Sequence, residues 1–184
     1  AGGHRRPAGA GRIGQPGQPQ PVPELRVDLG NEFTVYTAPA RHFSGRSLTR
    51  NTTLWMSFLL QSPSMKIYIG GDSGYDTHFA EIGNEFGPID LAILDNGQYD
   101  AAWKYIHMLP QEVIKAGLDL KAKRILPVHS SKFVMANHDW DDPFKKITEF
   151  NREYNIPLIT PRIGELVYLK KADQQFEHWW LTIN

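Results

Sequence analysis

The sequence predicts an α/β domain, a mixed sheet with helices packed on one face. Three observations carry this. Short β-branched or alternating runs come first, at Glu32–Ala38, Thr53–Gln61 and Met65–Gly70. Beyond them, helical spacing alternates with short apolar runs, the pattern of strand, helix, strand, helix, strand. Apolar residues make up 41% and charged residues 22% of 184 positions, which supports a packed core and excludes wholesale disorder.

The elements follow in order. Ala1–Glu24 holds six glycines and five prolines, with Ile13 and Val22 as its large apolar residues. It buries too little surface to offset the entropy of ordering, so residues 1–24 are expected to form a flexible arm. Residues 25–184 form the folded part. EFTVYTA (Glu32–Ala38) alternates and reads as a strand. TLWMSFLLQ and MKIYIG form an expected hairpin across Ser62-Pro63-Ser64. Phe79, Ile82 and Phe86 recur at helical spacing within Asp76–Phe86, with Asp76 or Thr77 as the cap and Gly87-Pro88 as the stop. Ile89–Leu94 is a buried strand, and Pro110–Ala122 an amphipathic helix with Pro in its first turn. Arg124–Val128 is another strand, and Asp142–Tyr154 a helix opened by Asp-Asp-Pro. Pro157–Thr160 and Glu165–Leu169 are expected to close the sheet as strands, and the tail FEHWWLTIN stays unassigned.

Lys plus Arg and Asp plus Glu balance at 20 each, so no global field points to nucleic acid or an anionic membrane. The tryptophans are not interleaved with a basic stripe, and no nucleic-acid partner is expected. No apolar run approaches the roughly 20 residues of a transmembrane helix. Without cysteine, any metal must be held by His, Asp or Glu, and a reducing, cytoplasmic location is expected.

Three loops share one pattern: a strand runs out and a potential ligand follows. They are TAPARHFSGR with His42, IGGDSGYD with Asp72 and ILPVHSSKF with His129. Ligand sites in open sheets gather at the carboxyl ends of strands. The three residues are too far apart in sequence for one helix face, so only tertiary folding could unite them. Histidine and carboxylate suit zinc, manganese or iron. Residue chemistry alone leaves a plainer reading open, in which GGD is a capped turn and the histidines are ordinary surface residues.

The combination PARHFSGR, GGDSGYDTHFAEIGNEFGPIDLAIL and ILPVHSSKF resembles the second half of a metallo-β-lactamase-fold hydrolase over Leu25 to Leu169. Within that superfamily it is most similar to the branch of N-acylphosphatidylethanolamine phospholipase D and L-ascorbate-6-phosphate lactonase. The resemblance implies an αββα fold and two zinc ions, with manganese or iron as alternatives. It implies that His42 holds the first metal, Asp72 bridges both and is catalytic, and His129 holds the second. It also implies a small phosphorylated, lipid-like or lactone substrate, attacked by a metal-activated hydroxide. Phosphodiester hydrolysis of the phospholipase D type is the first expectation and lactone hydrolysis the second. His107 is placed beside the substrate pocket by the same resemblance, with a helix-entry packing role as the alternative. Gln98 and Tyr99, at the end of a strand, and Tyr75, beside Asp72, are candidates for the pocket lining or ordinary turn and packing residues.

The resemblance also implies an earlier His-x-His-x-Asp-His run, which supplies the other ligands. The seven histidines are His4, His42, His78, His107, His129, His138 and His178, and no two are so spaced. The chain is therefore expected to be a C-terminal half, binding zinc weakly or not at all unless another chain completes the site, and incompetent alone. A non-catalytic remnant is the rival. TLWMSFLLQ carries large apolar residues on both faces, so self-association or pairing with a missing half is expected. Arg41, Arg46 and Arg50 read as a solvated cationic loop or a phosphate attractor. His78 and His138 read as exposed.

Overall fold

A computed structural model of the chain describes residues 25–45, 53–133 and 135–183. The arm expected over residues 1–24, and Arg46 and Arg50, lie outside the described residues. Among the described residues six strands form one sheet in chain order: β1 (Arg26–Gly30), β2 (Phe33–Pro39), β3 (Met56–Gln61), β4 (Lys66–Ile69), β5 (Leu91–Asp95) and β6 (Ile125–Val128). β1 to β4 pair antiparallel, whereas β4, β5 and β6 run parallel. Helix α1 (His78–Phe86) crosses from β4 to β5, and α2 (Pro110–Asp119) from β5 to β6. Parallel neighbours need such crossovers, because a tight turn cannot reverse the chain twice. Helix α3 (Asp142–Tyr154) follows β6 and has the bounds its sequence predicts.

Register explains which face is buried. Tyr36, Leu59, Tyr68 and Ala92 lie opposite one another across β2 to β5. Together with Leu94 and Ile125 they pack against Phe79, Ile82, Val113, Ile114 and Ile147 of the helices. The intervening residues point the other way. There Met56, Phe58 and Ile69 remain 42%, 38% and 38% exposed, so β3 and β4 have one covered face and one open apolar face. No helix among the described residues is long and apolar enough to cross a membrane.

The helix ends follow local chemistry. Pro110 occupies the first turn of α2, where its missing N–H costs nothing, and Glu112 accepts a hydrogen bond from the Leu109 N–H. Asn155 ends α3 in the left-handed conformation at φ 54°. Thr77 stands at the α1 cap position without a side-chain capping bond.

Three expectations change. β1 is an additional strand, joined to β2 by Asn31 and Glu32, both left-handed, so Glu32 belongs to the turn. Pro157–Thr160 contributes only a bridge between Leu158 and Ile125. Glu165–Leu169 forms no ladder; the Arg124 guanidinium instead donates to the Leu169 and Lys171 carbonyls at 2.6 and 3.4 Å. A buried arginine thus satisfies backbone that a strand neighbour would otherwise pair. The aromatic tail folds back as a short 3₁₀ turn, Trp179–Leu181, and both tryptophans pack on Phe144 of α3.

Candidate metal centre

Strand direction sets the site. β2 and β4 are each antiparallel to β3, so they are parallel to each other and to β5 and β6. The carboxyl ends of β2, β4, β5 and β6 therefore share one edge of the sheet. His42 follows β2, Asp72 follows β4, Asp95 ends β5 and His129 follows β6, while His107 enters from the loop between β5 and α2.

These residues meet. His129 Nε2 lies 3.8 Å from Asp72 Oδ1, and His129 Nδ1 lies 3.2 Å from Asp95 Oδ1. Asp95 Oδ2 is 2.7 Å from His107 Nδ1. The His107 ring stacks on His129 at 5.2 Å between centroids and meets His42 edge-on at 5.3 Å. Donor atoms of Asp95, His107 and His129 all lie within 4.8 Å of one another. The structure thus brings together His42, Asp72, His107 and His129 of the sequence candidates and adds Asp95. Asp95 carries the same signal as the others, a carboxylate directly after the buried run Ile89–Leu94, where the sequence singles out Gln98 and Tyr99 instead.

Hydrogen bonds prepare the imidazoles for ligation. His42 Nδ1 lies 2.9 Å from the Phe43 carbonyl, an acceptor, so Nδ1 carries the proton. Nε2 is left with a lone pair, buried and without a partner. His107 is fixed likewise: Nδ1–H donates to the fully buried Asp95 carboxylate, freeing Nε2. This is the outer-sphere device that sets tautomer and raises ligand basicity at metal sites. The His129 contact with Asp95 is at ion-pair distance but poorly aligned for a hydrogen bond. The Asp95 carboxylate still holds the His129 imidazole above its ordinary pKa, against partial burial, with Asp72 adding to the effect. Asp72 is nearly half exposed, its carboxylate open on the rim. A nitrogen and oxygen donor set of this kind fits a zinc-, manganese- or iron-type cation.

The backbone is shaped to bring these groups close. His129 itself is left-handed, φ 68°, which is uncommon for a residue with a Cβ and persists only where neighbours hold it. A Cβ on Gly97 would stand 2.0 Å from the His129 carbonyl oxygen. Only glycine lets the loop after Asp95 lie against the loop of His129.

Other sequence candidates have different partners. Tyr75 donates its hydroxyl to Asp119 of α2 and stacks on Phe79. Gln98 donates to the Phe133 carbonyl at 2.8 Å and accepts from the Met135 and Ala136 amides. Tyr99 donates to Asp142 at 2.5 Å. The polar groups of Tyr75, Gln98 and Tyr99 thus brace α2, the backbone of Phe133, Met135 and Ala136, and α3. His107 belongs to the histidine cluster itself. His78 is buried rather than exposed, and His138 is half-buried on the Tyr99 ring.

A mixed sheet carrying histidines and carboxylates on the edge formed by its strand ends defines the class, the metal-dependent hydrolases of the metallo-β-lactamase superfamily. The chain belongs to the family described as the beta-lactamase superfamily domain, whose model matches residues 15–130. It is 56% identical over 111 residues to outer membrane protein RomA of Klebsiella pneumoniae, covering 60% of this chain and 84% of RomA. It is 40% identical over 130 residues to the mitochondrial N-acyl-phosphatidylethanolamine-hydrolyzing phospholipase D of Saccharomyces cerevisiae, covering 67% of this chain and 28% of that enzyme. Among solved structures, the metallo hydrolase Igni18 of Ignicoccus hospitalis shares the fold, with TM-score 0.61 and 18% identity over 78% of this chain and 57% of Igni18. The chain therefore spans most of RomA but about a quarter of the yeast enzyme and just over half of Igni18.

Proposed function

We propose that the rim is the metal-binding part of a phosphodiester hydrolase, completed by a segment bearing the His-x-His-x-Asp-His run that this sequence lacks. One observation carries the reading: three imidazoles and two carboxylates from separate loops converge, and two of the rings are held with Nε2 free. His42, His107 and His129 supply nitrogens, and Asp72 supplies an open carboxylate. Asp95 holds the proton of His107 on Nδ1. When bound, a divalent cation acidifies a water toward neutrality and offsets negative charge developing on oxygen. His129 must be without a proton on Nε2 before it can ligate, and Asp95 beside Nδ1 holds its pKa above the ordinary value, so affinity should fall as pH falls.

The name of the yeast relative, an enzyme that cleaves a phosphodiester, supports the substrate class. His129 is also part of the wall of a cavity of about 330 Å³ lined by Val128, Phe144, Ile163 and Trp179. Those side chains suit an apolar portion of the substrate beside the metal. The test is a chimera in which this chain replaces the matching segment of the yeast enzyme. It is expected to hydrolyse bis(p-nitrophenyl) phosphate only with added zinc or manganese, and Asp72→Ala to abolish the turnover. The chain alone should bind metal with little turnover. A folded, metal-loaded chimera without phosphodiesterase activity would exclude this substrate class.

A further inference from the structure

Arg41 precedes His42, and its contacts reach two other loops of the rim, four of them in Ser73–Asp76 and one at Tyr105. Its backbone N–H donates to Ser73 Oγ at 3.0 Å, and its carbonyl accepts from the Gly74 N–H at 2.8 Å. Its Nη1 donates to the Tyr75 carbonyl at 2.9 Å and pairs with Asp76 at 2.8 Å. The guanidinium plane lies 4.3 Å from the centre of the Tyr105 ring. Ser73 and Gly74 directly follow Asp72, and Tyr105 stands two residues before His107.

The side chain is only 13% exposed. A guanidinium so placed is not a free cation for phosphate. The same junction explains the small residues around Asp72: a Cβ on Gly74 would meet the Tyr105 carbonyl oxygen at 2.5 Å. The loop of Asp72 thus lies directly against the backbone that leads to His107, and Arg41 spans both. A planar fork can hydrogen-bond a carbonyl, pair with a carboxylate and stack on an aromatic ring at once, which an ammonium cannot.

We propose that Arg41 is a positioning residue that locks the loops bearing His42, Asp72 and His107 into one arrangement. The proposal rests on the rim being the metal-binding site, but its first readout needs no metal. In the metal-free protein, Arg41→Gln is expected to shift and broaden the imidazole NMR signals of His42 and His107 and to speed amide exchange at Ser73 and Gly74. The signals of His178, remote from these loops, should not move. Zinc affinity, read by competition with a chromophoric chelator, is expected to fall about 10–100-fold, the usual range for outer-sphere partners. Arg41→Lys should recover less than half of that loss on a logarithmic scale, because it restores the charge without the fork.

Should Arg41→Gln fail to fold, Tyr105→Leu and Asp76→Ala each remove one arm of the clamp and must produce the same His42 and His107 shifts. Unchanged imidazole signals in a folded Arg41→Gln, or in both substitute variants, would overturn the proposal. So would full recovery by Arg41→Lys. A wild-type chain that bound no zinc would refute the metal reading instead, and the metal-free spectra would still judge the clamp.

Discussion

Asp95→Ala is expected to lower divalent-metal affinity at the rim by about 10–100-fold or more, the range for losing a carboxylate behind a ligating histidine. The reason is that one carboxylate serves two rings. It is fully buried, accepts from His107 Nδ1 at 2.7 Å and lies 3.2 Å from His129 Nδ1. Removing it frees His107 to take the other tautomer, which places a proton on the nitrogen that should ligate. It also leaves the buried His107 N–H without an acceptor, at a cost of about 1–3 kcal/mol. His129 loses the group that raises its pKa. Asp95→Asn keeps the volume and one carbonyl acceptor, so it should retain the His107 tautomer and lose less. Competition titration of zinc against a chelator measures all three proteins. Equal affinities would remove Asp95 from the site.

The second large effect concerns pH and a residue outside the cluster. His78 is 1% exposed, and burial lowers its pKa to about 4. Its Nδ1 has no partner, and Nε2 stands 3.5 Å from Ser73 Oγ. The Asp76 carboxylate offsets only part of the cost of charging the ring, and the Arg41 guanidinium adds to it. In the unfolded chain the same histidine titrates near 6.5. Between those values the unfolded state binds the extra proton and the folded state does not, so stability falls as pH drops from about 6.5 to about 4. The shift corresponds to a loss on the order of 3 kcal/mol. His129 acts in another window. Its pKa is raised, so its stabilising contact is full below the ordinary value and fades as pH climbs through the folded one. Thermal unfolding of the wild type and of His78→Phe should therefore diverge from pH 6.5 down to 4.5, with the variant losing less. Parallel curves would mean that His78 is charged in the folded state.

Much of the fold was legible because helix and strand periods differ. Asp142–Tyr154 was delimited by Asp-Asp-Pro and its apolar stripe, and the β3–β4 hairpin by Ser62-Pro63-Ser64 between apolar runs. Glu165–Leu169 misled because a short apolar run suits a strand but does not supply a neighbour to pair with. The Arg124 side chain, remote in sequence, provides the partner instead. At the site, strand-end position placed His42, Asp72 and His129 on one edge. Asp95 was hidden because a carboxylate ending an apolar strand looks like ordinary turn punctuation; its role depends on two histidines that only folding brings beside it. Arg41 was read through its charge, whereas its burial and its five partners in two other loops are tertiary facts.

The claim that this rim is a metal centre is tested most directly by following all histidine rings in long-range ¹H–¹⁵N NMR during zinc titration of the chain. The Nε2 signals of His42, His107 and His129 should move together as zinc is added, while Nδ1 of His42 and His107 keeps its proton. Those of His78, His138 and His178 should stay in place. Zinc-dependent shifts confined to His138 or His178, or an unperturbed His42, His107 and His129 at saturating zinc, would contradict it.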